Sequence, residues 1–139
     1  MEILRRKTLI AVLWVIWAMG MSVFMFLSFM KTGEIEGIIS GEFNGMQIND
    51  GLLLWFGAYW FIPWILAFLS LTLKGSANRW VNFIMGILFT LGLGSGSIVQ
   101  AINGQPFAII IDYIICVIVT IIIAWNAWKL PKREEIVTS

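Results

Sequence analysis

The sequence predicts an all-α integral membrane protein: an up-and-down bundle of four transmembrane helices with both termini cytoplasmic. Three observations carry that expectation. The 139 residues are 60% hydrophobic and only 12% charged, whereas soluble domains run about 45–50% apolar and about 25% charged. Four apolar runs, at 8–30, 52–73, 80–101 and 107–128, each approach or exceed the roughly 20 residues a helix needs to cross a hydrocarbon layer of about 30 Å. The cations are also one-sided, with Arg5, Arg6, Lys7, Lys74, Arg79, Lys129, Lys132 and Arg133 on one side and Lys31 alone on the other. The positive-inside rule then places both ends and the middle link in the cytoplasm of a multi-pass protein of the cell membrane. Residues 1–139 read as a single membrane domain in contact with the lipid bilayer, and nothing in them suits nucleic acid.

The first span, Thr8–Met30, follows three cations, as the core of a signal peptide would. It is too long for that core, and no small-residue cleavage site stands out in Met19–Met30, so the span is expected to be retained. Its Met19, Met21, Met25 and Met30, set among Phe24, Phe26 and Phe29, offer adaptable apolar surface. The outer loop 31–51 sets Glu34, Glu36, Glu42 and Asp50 against Lys31. It lacks the ligand spacing of an EF-hand and reads as a solvated acidic loop. Ile35, Ile38 and Ile39 recur at helical spacing and predict one or two interfacial helical turns over 33–40, broken up by the glycines of the loop.

The second span, Leu52–Leu73, contains Pro63, which should bend it. Trp55, Tyr59, Trp60 and Trp64 cluster there, with Tyr59 one turn from Trp55 and stacked on it. Lys74–Asn78 is a tight link with Gly75 as a helix stop and Ser76 or Asn78 as an N-cap. The third span, Trp80–Ala101, is rich in small residues. Gly92 and Gly96 stand at GxxxG spacing, a pattern that lets helix backbones approach closely. After a short outer turn, Asn103–Pro106, the fourth span covers Phe107–Trp128. Links this short predict spans two, three and four as sequential antiparallel neighbours. The cytoplasmic tail 129–139 is polar and expected to be mobile. Trp80, Trp125 and Trp128 fall at the inner boundary, and Trp55, Tyr59 and Tyr113 toward the outer one, as interfacial aromatics do.

Asp112 is the one acidic residue inside a span. A carboxylate at the centre of a bilayer costs roughly 2.5–3.5 kcal/mol, so an intramembrane acid is a candidate functional residue by default. Asp112, Cys116 and Thr120 are spaced i, i+4, i+8 and share one face, with Cys116 and Thr120 expected to serve helix packing. Gln100 and Asn103 end the antiparallel third span at the depth of Asp112, within expected hydrogen-bonding reach.

Absences narrow the chemistry. The chain has no histidine, which removes the common haem ligand, zinc ligand and proton shuttle. Its single cysteine allows neither an internal disulfide nor a CxxC redox pair. No cofactor and no metal are expected.

Three segments, Met46–Leu54 (MQINDGLLL), Ala77–Asn82 (ANRWVN) and Ala124–Lys129 (AWNAWK), together with the four-span layout, resemble an uncharacterised family of small prokaryotic four-span membrane proteins. The layout is more distantly similar to DoxX-like proteins. Small multidrug transporters use a membrane-embedded Glu in their first span, and Thr8–Met30 has none. Small fluoride channels insert in both orientations with little Lys/Arg bias, unlike this chain.

The functional expectation is a non-enzymatic membrane protein that binds or passes a small or lipophilic ligand. Its outward-facing pocket would be lined by Asp112, Gln100, Asn103, Ser97, Tyr59 and Trp60. It is expected to be a homo-oligomer or to sit beside a membrane partner. One alternative is a structural or accessory subunit docking through the small-residue faces of spans three and four. Another is a membrane enzyme acting on an apolar substrate through Asp112 and Tyr113.

Overall fold

The computed structural model describes residues 1–43 and 45–131. Its elements are α1 (Glu2–Phe29), α2 (Glu34–Ile39), β1 (Glu42–Phe43), β2 (Met46–Gln47), α3 (Asp50–Thr72), α4 (Gly75–Ile102) and α5 (Phe107–Trp128). Helices α1, α3, α4 and α5 are each long and apolar enough to cross a membrane, and together they form an all-α four-helix bundle. The expected mobile tail lies, from residue 132 onward, outside the described residues.

Two helices begin well before the apolar runs that announce them. Helix α1 starts at Glu2, because Arg5, Arg6 and Lys7 favour helix and Arg6 closes an i,i+4 ion pair with Glu2 at 2.6 Å. Helix α4 starts at Gly75, which is not a helix stop but the turn itself, at φ +56°. Asn49 caps α3 by accepting the Leu52 N–H at 2.9 Å. That helix runs unbroken through Pro63 to Thr72.

Helix α1 forms the interior edge of the bundle, packing against α3 on one side and α5 on the other, while α4 packs on α5. Helices α3 and α4, although joined by the shortest link, make few close approaches. They are sequential neighbours, as the short link predicts, but they meet through side chains, Ser70 with Asn82 and Tyr59 with Phe89, rather than by close backbone approach. Large aromatics hold them apart. Trp14 and Trp17 of α1 are wholly buried, and both meet Phe89 of α4 edge-on, at 5.4 and 4.8 Å between ring centroids. Tyr59 of α3 stacks on the same Phe89 at 5.6 Å. At the α4–α5 seam the opposite holds. A Cβ added at Gly86 would stand 3.0–3.2 Å from Ala124, so the two backbones are in near contact and a larger residue would have to push Ala124 away by a few tenths of an ångström.

The segment between α1 and α3 folds back over the end of the bundle. Helix α2 lies within the predicted 33–40 stretch. The two-stranded antiparallel hairpin pairs Phe43 with Met46 and Glu42 with Gln47. An Asn-Gly dipeptide at 44–45 between two such residues is a strong short hairpin signal, and Gly45 takes the φ of +75° that such a turn demands. Phe43 is 5% exposed, with its ring 5.9 Å from Phe29 and 5.8 Å from Phe56. The hairpin is thus pinned between α1 and α3.

Candidate functional site: an aromatic cavity under the hairpin

Beneath the hairpin lies a cavity of about 300 Å³. Helix α1 contributes Met21, Phe24 and Met25, and α3 contributes Trp55, Phe56, Tyr59 and Trp60. Phe43 and Met46 of the hairpin close it, and Gln100 and Tyr113 supply its polar groups. The volume is at the lower limit of ligand pockets, and the make-up, apolar walls with a few polar groups, is typical of them.

Aromatic packing holds the walls in place. Tyr59 stacks on Trp55 at 5.2 Å and 14°, one helical turn away. It also meets Trp17 edge-on at 5.5 Å. Trp60 donates its indole N–H to Ser22 Oγ on α1 at 3.3 Å, and Ser22 donates in turn to its own helix at Ala18 O, at 2.9 Å. Tyr113 lies edge-on to Phe24 at 5.0 Å, and Gln100 comes to the Tyr113 hydroxyl. Gly96 faces the same tyrosine, where an added Cβ would sit 3.0 Å from Cε1. The small residue on α4 therefore makes room for a cavity-lining ring.

Of the residues predicted to line an outward pocket, the structure brings Tyr59, Trp60 and Gln100 together at this cavity and leaves three elsewhere. Asn103 is exposed at the end of α4, where it closes the last turn. Ser97 donates to Leu93 O of its own helix at 2.8 Å. Asp112 is half-buried and turns toward α1: its Oδ1 would lie 3.9 Å from a Cβ placed on Gly20. Its Oδ2 is buried with no hydrogen-bond partner among the described residues. The anticipated bond from Gln100 or Asn103 to Asp112 is not formed. A residue one step along α5, Tyr113, meets Gln100 instead, because the rotation of α5 points the polar end of α4 at position 113.

The face of Asp112, Cys116 and Thr120 is divided between two neighbours. Cys116 is 1% exposed and abuts Gly20 of α1, its Sγ 2.8 Å from where a Cβ would stand. Thr120 is fully buried and accepts from Thr90 of α4 at 2.8 Å. Gly92 faces open space. The close α4–α5 approach is at Gly86 and not at the predicted Gly92.

A second polar feature went unread in the sequence. Trp14 Nε1 donates to Asn82 Oδ1 at 2.8 Å, and Ser70 Oγ reaches the same oxygen at 2.8 Å. Asn82 donates to Asn78 Oδ1 at 2.7 Å, and Asn78 donates to Ser70 O and Leu73 O at 2.7 and 2.9 Å. Lys7 Nζ closes the set on Leu73 O at 3.0 Å. Trp14, Ser70, Asn78 and Asn82 are all wholly buried. Asn78 is thus not an N-cap for its own helix. It satisfies the carbonyls that end α3, the groups a helix C-terminus leaves without partners. The signal was present in the i,i+4 pair Asn78 and Asn82 of an apolar helix, since buried amides in a span are costly unless bonded to each other.

Fold and make-up together define an all-α, multi-pass membrane protein. The chain belongs to the family of unknown function DUF6326, whose pattern matches residues 2–133. No curated protein and no solved structure matches it.

Proposed function

We propose that the protein is a non-enzymatic membrane protein that binds a small, largely apolar molecule in the cavity under the hairpin. The supporting observation is the cavity itself: about 300 Å³ walled by rigid aromatics and adaptable methionines, with Gln100 and Tyr113 as its polar groups. In this reading the hairpin end faces out of the cell, an orientation the cation bias favours, so that the hairpin is an outward-facing cover and a ligand enters past Phe43 and Met46. Gln100 and the Tyr113 hydroxyl orient the polar end of such a ligand. Asp112 acts beside the cavity rather than in it.

Photolabelling of the bilayer-embedded protein with a diazirine-bearing octanol tests this reading. Saturable labelling concentrated on Tyr59, Tyr113 and Met25, and lost in Met25→Trp, is the expected result. Labelling that is unsaturable and spread over lipid-facing residues in proportion to their exposure would sink the idea.

The accessory-subunit reading rested on the small-residue faces of α4 and α5. Much of that surface is already taken: Gly86 by Ala124 and Gly96 by Tyr113. For an enzyme reading, Asp112 and Tyr113 have the buried thiol of Cys116 beside them, and the three make no established catalytic arrangement.

A further inference from the structure

Toward the end of the bundle opposite the hairpin, an apolar groove of about 440 Å³ lies between α4 and α5 beside the Gly86–Ala124 contact. Phe83, Ile87, Leu91, Ile121, Trp125 and Trp128 line it, with Thr90 and Ala124 at its floor. A cation rests on each of the two tryptophans at its mouth. The Arg79 guanidinium carbon sits 4.2 Å above the Trp128 ring, and Lys129 Nζ sits 4.5 Å from the Trp125 ring centre.

Neither cation has a carboxylate partner among the described residues. Among the described residues Arg79 makes one long bond, to Leu130 O at 3.5 Å, and its buried Nε has no partner there. Among the described residues this end carries Arg5, Arg6, Lys7, Lys74, Arg79 and Lys129 against a single carboxylate, Glu2, which is already bonded to Arg6.

We propose that the α4–α5 groove is a binding site for one anionic phospholipid. An acyl chain lies along Phe83, Ile87, Leu91 and Ile121, and the headgroup phosphate is held between Arg79 and Lys129. Charge complementarity selects the occupant. A zwitterionic lipid fills the groove equally well and also brings a phosphate, but its own ammonium offsets that charge, so only a net-anionic headgroup neutralises the two cations. A phosphate accepts from both, and arginine is well suited to such an oxygen pair. Trp80, Trp125 and Trp128 stand at the depth of the headgroups, where the ring of an interfacial tryptophan settles. The site lies at the other end of the molecule from the hairpin cavity and does not depend on the function proposed for it.

The test is lipid retention by mass spectrometry of the intact protein. Delipidated protein in detergent is offered equimolar phosphatidylglycerol and phosphatidylcholine with identical acyl chains. The expected result is a preference for one phosphatidylglycerol of roughly thirtyfold, the scale of two charge contacts at a membrane surface. The preference falls to near unity in Arg79→Gln/Lys129→Gln. It persists in Arg5→Gln/Lys74→Gln, which removes the same charge from the same end but not from the groove. Ile87→Trp, which fills the groove and leaves both cations in place, lowers retention of phosphatidylglycerol as well. That variant keeps the test decisive even if the double variant fails to fold. Equal retention of the two lipids by the unaltered protein overturns the proposal, as does an equal loss of preference in both double variants.

Discussion

Trp14 Nε1 donates to Asn82 Oδ1 across 2.8 Å with both side chains wholly excluded from solvent. The bond joins α1 to α4, and Ser70 brings α3 to the same oxygen at 2.8 Å. Three spans therefore converge on one amide. In a medium without water, each of these donors needs a protein acceptor, so the network fixes rotation and depth as lipophilic packing alone does not.

Asn82→Leu removes the acceptor of Trp14 and the donor to Asn78 together. Stability, measured by unfolding in bicelles, is expected to fall by about 1–3 kcal/mol, the cost of leaving buried polar groups unsatisfied. A fall of no more than ~0.6 kcal/mol, the average for an interhelical bond in a membrane, would show that the freed groups find replacements.

Glycine substitutions along α4 should separate contact from open surface. Gly86→Ala drives a Cβ against the backbone of Ala124 and should cost about 1–3 kcal/mol through overpacking. Gly92→Ala meets nothing within 4 Å and should be neutral or gain up to about 1 kcal/mol from helix propensity. The same unfolding measurement compares the two, and equal effects would contradict the assigned seam.

Asp112→Asn is expected to leave the bundle at least as stable as before. The buried Oδ2 has no hydrogen bond to lose among the described residues, and a neutral amide is cheaper to bury than a carboxylate. Thermal melting in detergent at neutral pH checks this. A drop of several degrees would mean that Asp112 is held by groups beyond the protein's own, such as ordered water.

Phe43→Ala should release the hairpin while sparing the helices. Ile48 N–H, bonded to Gly41 O at 2.7 Å, is expected to exchange with deuterium roughly tenfold faster or more, since the cover loses its buried anchor. Amides of α3 near Leu66 should not change. Uniform acceleration through both regions would mean that the hairpin supports the whole bundle.

Legibility in the sequence differed by kind of feature. The four spans, the short helix after α1 and the Tyr59–Trp55 stack were readable because each depends on residues near one another in the chain. The Asn-Gly dipeptide at 44–45 is an equally local signal for a hairpin. Of the six residues expected to line one pocket, Tyr59, Trp60 and Gln100 meet at the cavity, whose wall also includes Met21, Met25, Phe43 and Tyr113 from other segments.

Hydropathy determines the spans because burial in a bilayer sums locally over about 20 residues, whatever the helix packs against. The sequence alone therefore settled that this is a four-span, all-α membrane protein with cations massed at one end. Only the tertiary structure decided that Gly86 rather than Gly92 is the point of contact, and that Gln100 meets Tyr113 rather than Asp112. It alone showed that Asn78 and Asn82 tie three helices together. Those outcomes depend on each helix's rotation about its own axis and on the distance between axes. Trp14, Trp17 and Phe89, brought together from distant parts of the chain, set that distance, and no local pattern encodes it.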